Sequence, residues 1–156
     1  MIESKTLIAI PTYNAEEFIR RTLNSCLNQT MSTEIWVVDN CSTDNTKLIV
    51  HEYEKKSNLV KLISNEKNFG RVGNWNRCLD LFMESEYQYI KFVFSGDEIL
   101  PTCIEECEKA FAIDTNIGAI AFPYAFKDLN GSSSISRHQE CPNKLFTSKE
   151  ITYKNL

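Results

Sequence analysis

The chain has 156 residues, of which 42% are hydrophobic and 11% aromatic, so it is long and apolar enough for one folded domain, and a largely disordered chain is excluded. The net charge of −4, with no basic run, argues against nucleic acid as the main partner. No stretch reaches the ~20 apolar residues of a membrane span, and the polar N-terminus does not resemble a signal peptide, so we expect a cytoplasmic protein without a transmembrane segment.

Short apolar runs alternate with amphipathic segments along the chain. Strands are predicted at 6–10, closed by Pro11, and at 35–38, 60–63, 89–94 and 118–126. Helices are predicted between them, the first capped by Asn14 with Glu17 as a capping box, and the fourth running from Pro101 through Phe111. This alternation predicts an α/β fold with a mostly parallel sheet and helices on both faces.

The second and third helices are each predicted to bury one apolar face. In the second helix that face carries Leu48, Ile49 and Tyr53. In the third it is made of Val72, Trp75, Leu79, Phe82 and Met83. Trp75 is accordingly interpreted as a core residue rather than as a platform for stacking a sugar.

The pattern changes after Phe126. Residues 128–131 are predicted to form a turn. Residues 139–156 have only a weak secondary-structure pattern, with a helix predicted to begin near Ser148. We therefore expect a core domain over 1–130, followed by a hairpin or loop segment over 131–156.

Six cysteines are scattered through the chain, and none of them forms a CxxC pair. They are interpreted as reduced thiols that pack as small hydrophobic side chains, with no metal assigned to them. The glycine fingerprint of dinucleotide-binding folds, the phosphate-cradling GxxxxGK[ST] loop and the GxSxG nucleophile turn are all absent.

Two acids follow predicted strands directly. Asp39 comes after the second strand and Asp97 just past the fourth. In an open parallel sheet, ligands bind outside the carboxyl ends of the strands. Both acids are therefore placed where a ligand would sit, and a carboxylate near a divalent cation that bridges a diphosphate is one way for such a sheet to hold its ligand.

Four ordered motifs resemble those of family 2 glycosyltransferases, which have the GT-A fold. They are Pro11-Thr-Tyr-Asn14, the stretch VVDNCSTDNT from Val37, Asn68-Phe-Gly70, and FSGDEILP from Phe94. The resemblance covers roughly residues 5–130. It implies transfer of a sugar, with inversion, from a nucleotide diphosphate-sugar, most often a UDP-sugar, to a glycan or lipid-linked acceptor in polysaccharide biosynthesis.

The resemblance also implies site residues. Asp39 would recognise the base, and Asp97 would hold Mg²⁺ or Mn²⁺ to neutralise the leaving diphosphate. The nucleotide-sugar site as a whole would comprise Pro11, Thr12, Tyr13, Asn14, Asp39, Asn68, Gly70, Arg71, Asn76, Ser95 and Gly96.

The chain departs from the family's pattern in three places. Ser95 stands where Asp is frequent, and Glu98 replaces a second Asp. In the third loop, Asn74-Trp75-Asn76 replaces the usual Ala-Arg-Asn. Arg71 or Arg77 would therefore have to supply the positive charge of the missing arginine. No residue is assigned as general base: Asp114, Asp128 and Glu140 are poor candidates. The base and the acceptor-binding half are expected downstream, which makes this chain a fragment whose fold is incomplete at the C-terminus.

Other hypotheses stay open. One is a module that binds nucleotide and metal without transferring a sugar, a second is a structural or regulatory domain of the same fold, and a nicotinamide dehydrogenase is disfavoured by the missing glycine fingerprint. Peripheral membrane association and self-association are also left open.

Overall fold

The computed structural model of the protein describes residues 4–114, 116–121, 124–127 and 133–136. The chain divides between Glu108 and Lys109 into two compact units. The elements of the first unit alternate strictly between strand and helix, the last helix running across the division. They are β1 Thr6–Thr12, α1 Ile19–Leu27, β2 Ile35–Asp39, α2 Thr46–Glu54, β3 Val60–Ser64, α3 Gly70–Met83, β4 Tyr89–Phe92 and α4 Cys103–Phe111.

The sheet of the first unit has the order β3-β2-β1-β4, and every neighbouring pair is parallel. The predicted α/β fold with a parallel sheet is thereby confirmed. The chain builds the sheet outward from β1 to β3 and then crosses back to place β4 on the other side of β1. The carboxyl ends of β1 and β4 therefore flank a topological switch point, the position where open α/β sheets bind ligands.

Helices cover both faces of the sheet because its strands are apolar on both sides. On one face, Ile8 and Val37 belong to a core cluster that also contains α1, α2 and α4 residues such as Leu23, Val50 and Ile104. On the other face, Ala9 and Val38 pack with Cys78 of α3. The two acids singled out in the sequence lie at or beyond the carboxyl ends of this sheet.

Strand β1 runs through Pro11 instead of ending before it. Pro11 pairs in register with Val38, and Thr12 with Asp39. The Ala9 carbonyl accepts from Val93 on the β4 side, and alternation along the strand turns the Pro11 nitrogen to that same side. The β1–β4 register has already ended at Ala9, so the missing N–H of proline removes no ladder bond.

Helix α1 starts later than predicted and has no capping box. It begins at Ile19 after Phe18, which makes no side-chain cap bond. Asn14 adopts a left-handed φ of 46°, and its Oδ1 accepts from the N–H of Thr43 in another loop. The prediction that Asn14 caps α1 was wrong because a bond between two loops takes up its side chain.

The predicted apolar faces of α2 and α3 are also corrected. In α2 the predicted Ile49 is buried together with Val50, and Tyr53 packs partly buried against the core, but Leu48 is exposed. In α3 the buried residues are Asn74 and Cys78, whereas Val72, Leu79 and Met83 are 62%, 41% and 78% exposed. Asn74 and Cys78 contact the sheet, so three residues of the predicted apolar face point outward, while the other two, Trp75 and Phe82, are half-buried.

The second unit contains a two-stranded antiparallel sheet. Strand β5, Tyr124–Lys127, pairs with β6, Ser133–Ser136. Residues 118–121, the start of the predicted fifth strand, are not in a strand, and β5 belongs to this separate sheet. The turn at 128–131 and all of 139–156, including the predicted helix near Ser148, lie outside the described residues. The division of the chain at residue 130 stays a prediction.

Candidate functional site

The carboxyl ends of three strands lie side by side in register. Asp39 pairs with Thr12 on one side and with Ser64 on the other. The next residues continue the alignment: Asn40 N–H donates to the Thr12 carbonyl at 2.8 Å, and Asn65 N–H donates to the Asp39 carbonyl at 2.9 Å. The polar residues that end each strand thus form a continuous edge, as the parallel topology requires.

Asp39 is completely buried at this edge. Its Oδ2 accepts from the N–H of Ser42 at 3.0 Å, in a turn where Cys41 has φ 68°. Its Oδ1 is buried and has no hydrogen-bond partner in the described part of the chain. A buried acceptor without a donor costs about 1–3 kcal/mol, so this oxygen is ready to accept a bond from a ligand N–H.

Four asparagine side chains form a hydrogen-bond network next to Asp39. Asn74 Nδ2 donates to the Val38 carbonyl at 2.9 Å, while its Oδ1 accepts from Asn65 Nδ2 at 2.8 Å. Asn40 Oδ1 accepts from Asn65 Nδ2 and from the Phe69 N–H, and Asn40 Nδ2 donates to Asn68 Oδ1 at 2.8 Å. The network therefore connects the ends of β2 and β3 to the start of α3.

Backbone groups fix the orientation of each amide in this network. The Val38 carbonyl requires a donor from Asn74, and the Phe69 N–H requires an acceptor from Asn40. Asn65 must then direct its NH₂ group toward both of them, which leaves its Oδ1 buried and without a partner among the described residues. Asn68 was predicted as a site residue from the sequence, whereas Asn40, Asn65 and Asn74 were not, since nothing in a single sequence shows which amides will meet.

The β1–α1 and β2–α2 loops are connected by side chains. Asn14 N–H donates to Ser42 Oγ at 2.9 Å, and Ala15 N–H donates to Thr46 Oγ1 at 2.8 Å. Asp44 accepts from the N–H groups of Glu16 and Thr46 at 3.0 Å each. Although burial acts to raise its pKa, these bonds, together with one to the Thr46 side chain, hold the pKa of Asp44 below its ordinary value. Tyr13 stays exposed at this edge.

The loop after β4 approaches β1 at the switch point. Ser95 Oγ lies 3.0 Å from Thr12 Oγ1. Gly96 N–H donates to Thr22 Oγ1 of α1 at 2.9 Å, and Asp97 N–H donates to the Phe94 carbonyl. The side chain of Asp97 is exposed and therefore accessible to a ligand at this edge.

Substitution of Gly96 by Ala is expected to destabilise the fold. Gly96 has φ +107°, a conformation that L side chains rarely adopt, and an added Cβ would lie 3.3 Å from Arg21 Nη2. Such strain costs on the order of 1–3 kcal/mol. Urea unfolding would measure the loss. As a control, Gly118→Ala enters open space at a φ outside the positive range and should change little. Equal stabilities for the two variants would contradict the assigned strain.

The other predicted site residues include the end of β1 and several positions on α3. Asn76 lies on the exposed side of α3, away from the buried Asn74. The Arg71 guanidinium lies 5.6 Å from the centre of the Trp75 ring. Trp75, predicted to be a core residue, is only half-buried and packs against Phe94 at 5.1 Å. Pro11 and Thr12 are buried at the end of β1, and Gly70, with φ 75°, opens α3.

Asp114, Asp128 and Glu140 are the three acids judged to be poor candidates for the general base. Asp114 follows α4, where its Oδ1 accepts from the Asn116 N–H at 2.8 Å, and it thus shapes a turn. Asp128 and Glu140 lie outside the described residues. Across the residues that the structure describes, there is no group of three or more His, Cys, Asp or Glu side chains arranged to hold a metal. None of the described helices combines the length and the hydrophobicity that a membrane span requires.

Comparison with known sequences relates this chain to glycosyltransferases. TuaG of Bacillus subtilis strain 168, named for teichuronic acid biosynthesis, is 33% identical over 101 residues, covering 63% of this chain and 39% of TuaG. TarS of Staphylococcus aureus strain Mu50, a poly(ribitol-phosphate) beta-N-acetylglucosaminyltransferase, is 38% identical over 98 residues, covering 61% of this chain and 17% of TarS. The chain thus spans well under half the length of these two relatives.

Solved structures of a glycosyltransferase are also similar to this chain. The crystal structure of S. aureus TarS 1-349 in complex with UDP has a TM-score of 0.63 and 29% identity, covering 76% of this chain and 38% of that chain. The complex of TarS 1-349 with UDP-GlcNAc has a TM-score of 0.64 and 28% identity, covering 76% and 37%. The parallel sheet with its flanking helices therefore has the GT-A fold expected from the sequence motifs.

A sequence model of the family described as "Glycosyl transferase family 2" matches residues 7–155. That match spans nearly the whole chain, and it agrees with the sequence relatives and with the fold. We conclude that this chain is a glycosyltransferase domain and belongs to glycosyl transferase family 2.

Proposed function

We propose that this chain binds the donor of an inverting glycosyltransferase that uses a UDP-linked sugar. The acceptor would be a growing glycan or a lipid-linked unit of a cell-surface polysaccharide, in line with the polymers for which TuaG and TarS are named. Since the chain spans 39% of TuaG and 17% of TarS, the activity of the whole protein is part of the proposal. The cytoplasmic location stays a prediction.

The observation that carries the proposal is the unpartnered Oδ1 of Asp39. Uracil offers one N–H donor on its pairing edge, which matches one free carboxylate oxygen. TarS, 28–29% identical in the structural comparison, was crystallised with UDP and with UDP-GlcNAc, which supports uridine as the nucleoside. Because the oxygen is buried, we expect a local shift at the sheet edge to accompany binding.

The remaining positions are proposed to surround the nucleotide. The Thr12 and Ser95 hydroxyls, 3.0 Å apart, lie between β1 and β4 and would bind the ribose. Exposed Tyr13 would pack on the base. Asn14 would act mainly by bonding to Thr43 and so holding that loop. The other proposed contacts are Pro11, Asn68, Gly70, Arg71, Asn76 and the backbone of Gly96.

A divalent cation fits this arrangement. The Asp97 carboxylate is exposed, and no other described residue binds it by a hydrogen bond or an ion pair. One carboxylate together with donor phosphates is a common ligand set for Mg²⁺, and Mn²⁺ accepts the same hard oxygens. When bound, the cation would neutralise charge on the departing diphosphate. Asp97 would hold the cation, while Asp39 orients the nucleoside.

Calorimetric titration of UDP tests both parts of the proposal. In Mn²⁺ the unmutated chain should bind UDP, and EDTA or the Asp97→Ala substitution should each weaken binding at least about tenfold, because a bond between charged partners contributes about 1.5–3 kcal/mol. Asp80→Ala is the control, since Asp80 is exposed on α3 and is assigned no ligand. Absence of UDP binding under every condition would rule out the nucleotide site. Equal binding in Mn²⁺ and EDTA would rule out the cation.

A second candidate is binding of the donor without transfer. It is favoured by the small share of TuaG and TarS that the chain spans and by the lack of an assignable general base within the described residues. An assay of UDP release from UDP-GlcNAc separates the two. Turnover with a suitable acceptor supports the transferase, whereas binding without any turnover supports the module.

A further inference from the structure

Arg21 lies beside the loop that follows β4, although no sequence motif points to it. Its Nη2 is 3.3 Å from the place that a Cβ on residue 96 would occupy. The guanidinium carbon lies 5.2 Å from the centre of the Phe18 ring, within the range of cation–π attraction. The side chain is exposed, so the ring restrains the guanidinium while leaving it accessible to solvent.

Hydrogen bonds fix the position of this arginine relative to the loop. Gly96 N–H donates to Thr22 Oγ1 at 2.9 Å, and Ile99 N–H donates to Ser25 Oγ at 3.2 Å. Thr22 and Ser25 follow Arg21 on α1, so the helix that carries the guanidinium also holds the loop. A Cβ at position 96 would make a tight contact of 3.3 Å with Nη2, so the glycine allows the guanidinium to come this close to the backbone.

Arg20 and Arg21 are neighbours on α1 but differ in their ion pairing. Its neighbour Arg20 forms an ion pair with Glu52 at 2.9 Å. Within the described part of the chain, Arg21 makes no such pair. A guanidinium presents five N–H donors in a planar fork that matches phosphate oxygens. An exposed arginine that is restrained by a ring and has no carboxylate is suited to an anionic ligand.

The position suits a diphosphate in particular. Asp39 ends β2, Ser95 follows β4, and β1 lies between them. Two strand spacings of ~4.8 Å separate the two positions by roughly 10 Å, which leaves room for a ribose between the base and the phosphates. A cation beside Gly96 then lies at the diphosphate end of a nucleotide whose base is at Asp39.

We propose that Arg21 is a diphosphate-binding residue of the donor site. This inference rests on the proposed function. It assigns to α1 the positive charge that the third loop lacks where the family's Ala-Arg-Asn is replaced. It also places that charge on the side of the Ser95–Asp97 loop that faces α1.

The test compares UDP with uridine, using Arg20→Ala as the matched control. UDP affinity is measured by calorimetry in Mn²⁺ and uridine affinity by ligand-observed NMR. We expect Arg21→Ala to weaken UDP binding at least about tenfold and to change uridine binding less than twofold. Arg20→Ala should alter neither affinity. Arg21→Lys should restore part of the UDP affinity because it keeps the charge.

Each other outcome has a defined meaning. Unchanged UDP affinity in Arg21→Ala would overturn the inference and leave the proposed function intact. An equal loss for UDP and uridine would also overturn it, since Arg21 would then act only by positioning the loop. If the unmutated chain binds uridine as tightly as UDP, the diphosphate adds no affinity. The inference then fails while the base site stands. If it binds neither ligand, the proposed function fails as well.

Discussion

Replacement of Asp39 by Asn should weaken UDP binding by roughly 30- to 100-fold, or about 2–3 kcal/mol. The substitution keeps the shape of the side chain. The new amide oxygen would go on accepting from the Ser42 N–H, as Oδ2 does now at 3.0 Å. An NH₂ group would then occupy the place of Oδ1, and it would oppose the N–H donor of the base. Calorimetry in Mn²⁺ would measure the loss.

The control for Asp39 is an acid near the other end of the same strand. Glu34 precedes β2 and accepts from Trp36 Nε1 at 2.8 Å, far from the carboxyl edge. Glu34→Gln should therefore leave UDP affinity unchanged. The thermal unfolding of Asp39→Asn should remain close to that of the unmutated chain because the Ser42 bond is kept. An affinity within twofold of the original in a folded Asp39→Asn variant would exclude Asp39 as the residue that reads the base.

Truncation of Asn74 to Ala should destabilise the chain by about 2–4 kcal/mol. Asn74 is buried, and its side chain makes bonds to the Val38 carbonyl and to Asn65 Nδ2. Its loss leaves a buried carbonyl and a buried amide hydrogen without partners, and it opens a small cavity. A domain of this size has a total stability of only about 5–15 kcal/mol, so urea unfolding should detect the change clearly.

Asn76→Ala is the comparison for this prediction, because Asn76 lies on the exposed side of the same helix. Its stability should stay within about 0.5 kcal/mol of the unmutated chain. The same pair of variants also distinguishes a residue that stabilises the fold from a residue that contacts the ligand. Asn74→Ala should lower stability first and affinity as a consequence, whereas any effect of Asn76→Ala should appear in UDP affinity alone. Equal stability of the two variants would mean that the amide network contributes nothing measurable.

The order of strands and helices was largely predictable from the sequence. Strand β2, predicted at 35–38 with Asp39 at its end, is observed as Ile35–Asp39. Helix α4, predicted to end at Phe111, does so. These elements were predictable because their apolar residues recur with the period of the structure that buries them. The placement of Asp39 and Asp97 at one edge followed from the geometry of parallel sheets.

The face that each helix buries was less predictable. The stripe from Val72 to Met83 has helical spacing, yet α3 turns Asn74 and Cys78 toward the sheet. Asn74 is polar, and it is buried only because Val38 and Asn65 offer partners for its amide. Apolar periodicity ranks positions by hydrophobicity and cannot detect such partners. The capping box at Asn14 failed for a related reason, since the competing partner lies in a loop about thirty residues away.

The α/β class, the parallel alternation and the position of the two acids at the carboxyl edge were predictable without the structure, because hydrophobic period and position after a strand are local properties. Three features became visible only in the folded chain. They are the asparagine network next to Asp39, the buried Oδ1 of Asp39 that has no partner among the described residues, and the approach of Arg21 to Gly96. Each of these depends on side chains that are distant in sequence, and only the packed sheet and its helices bring them together.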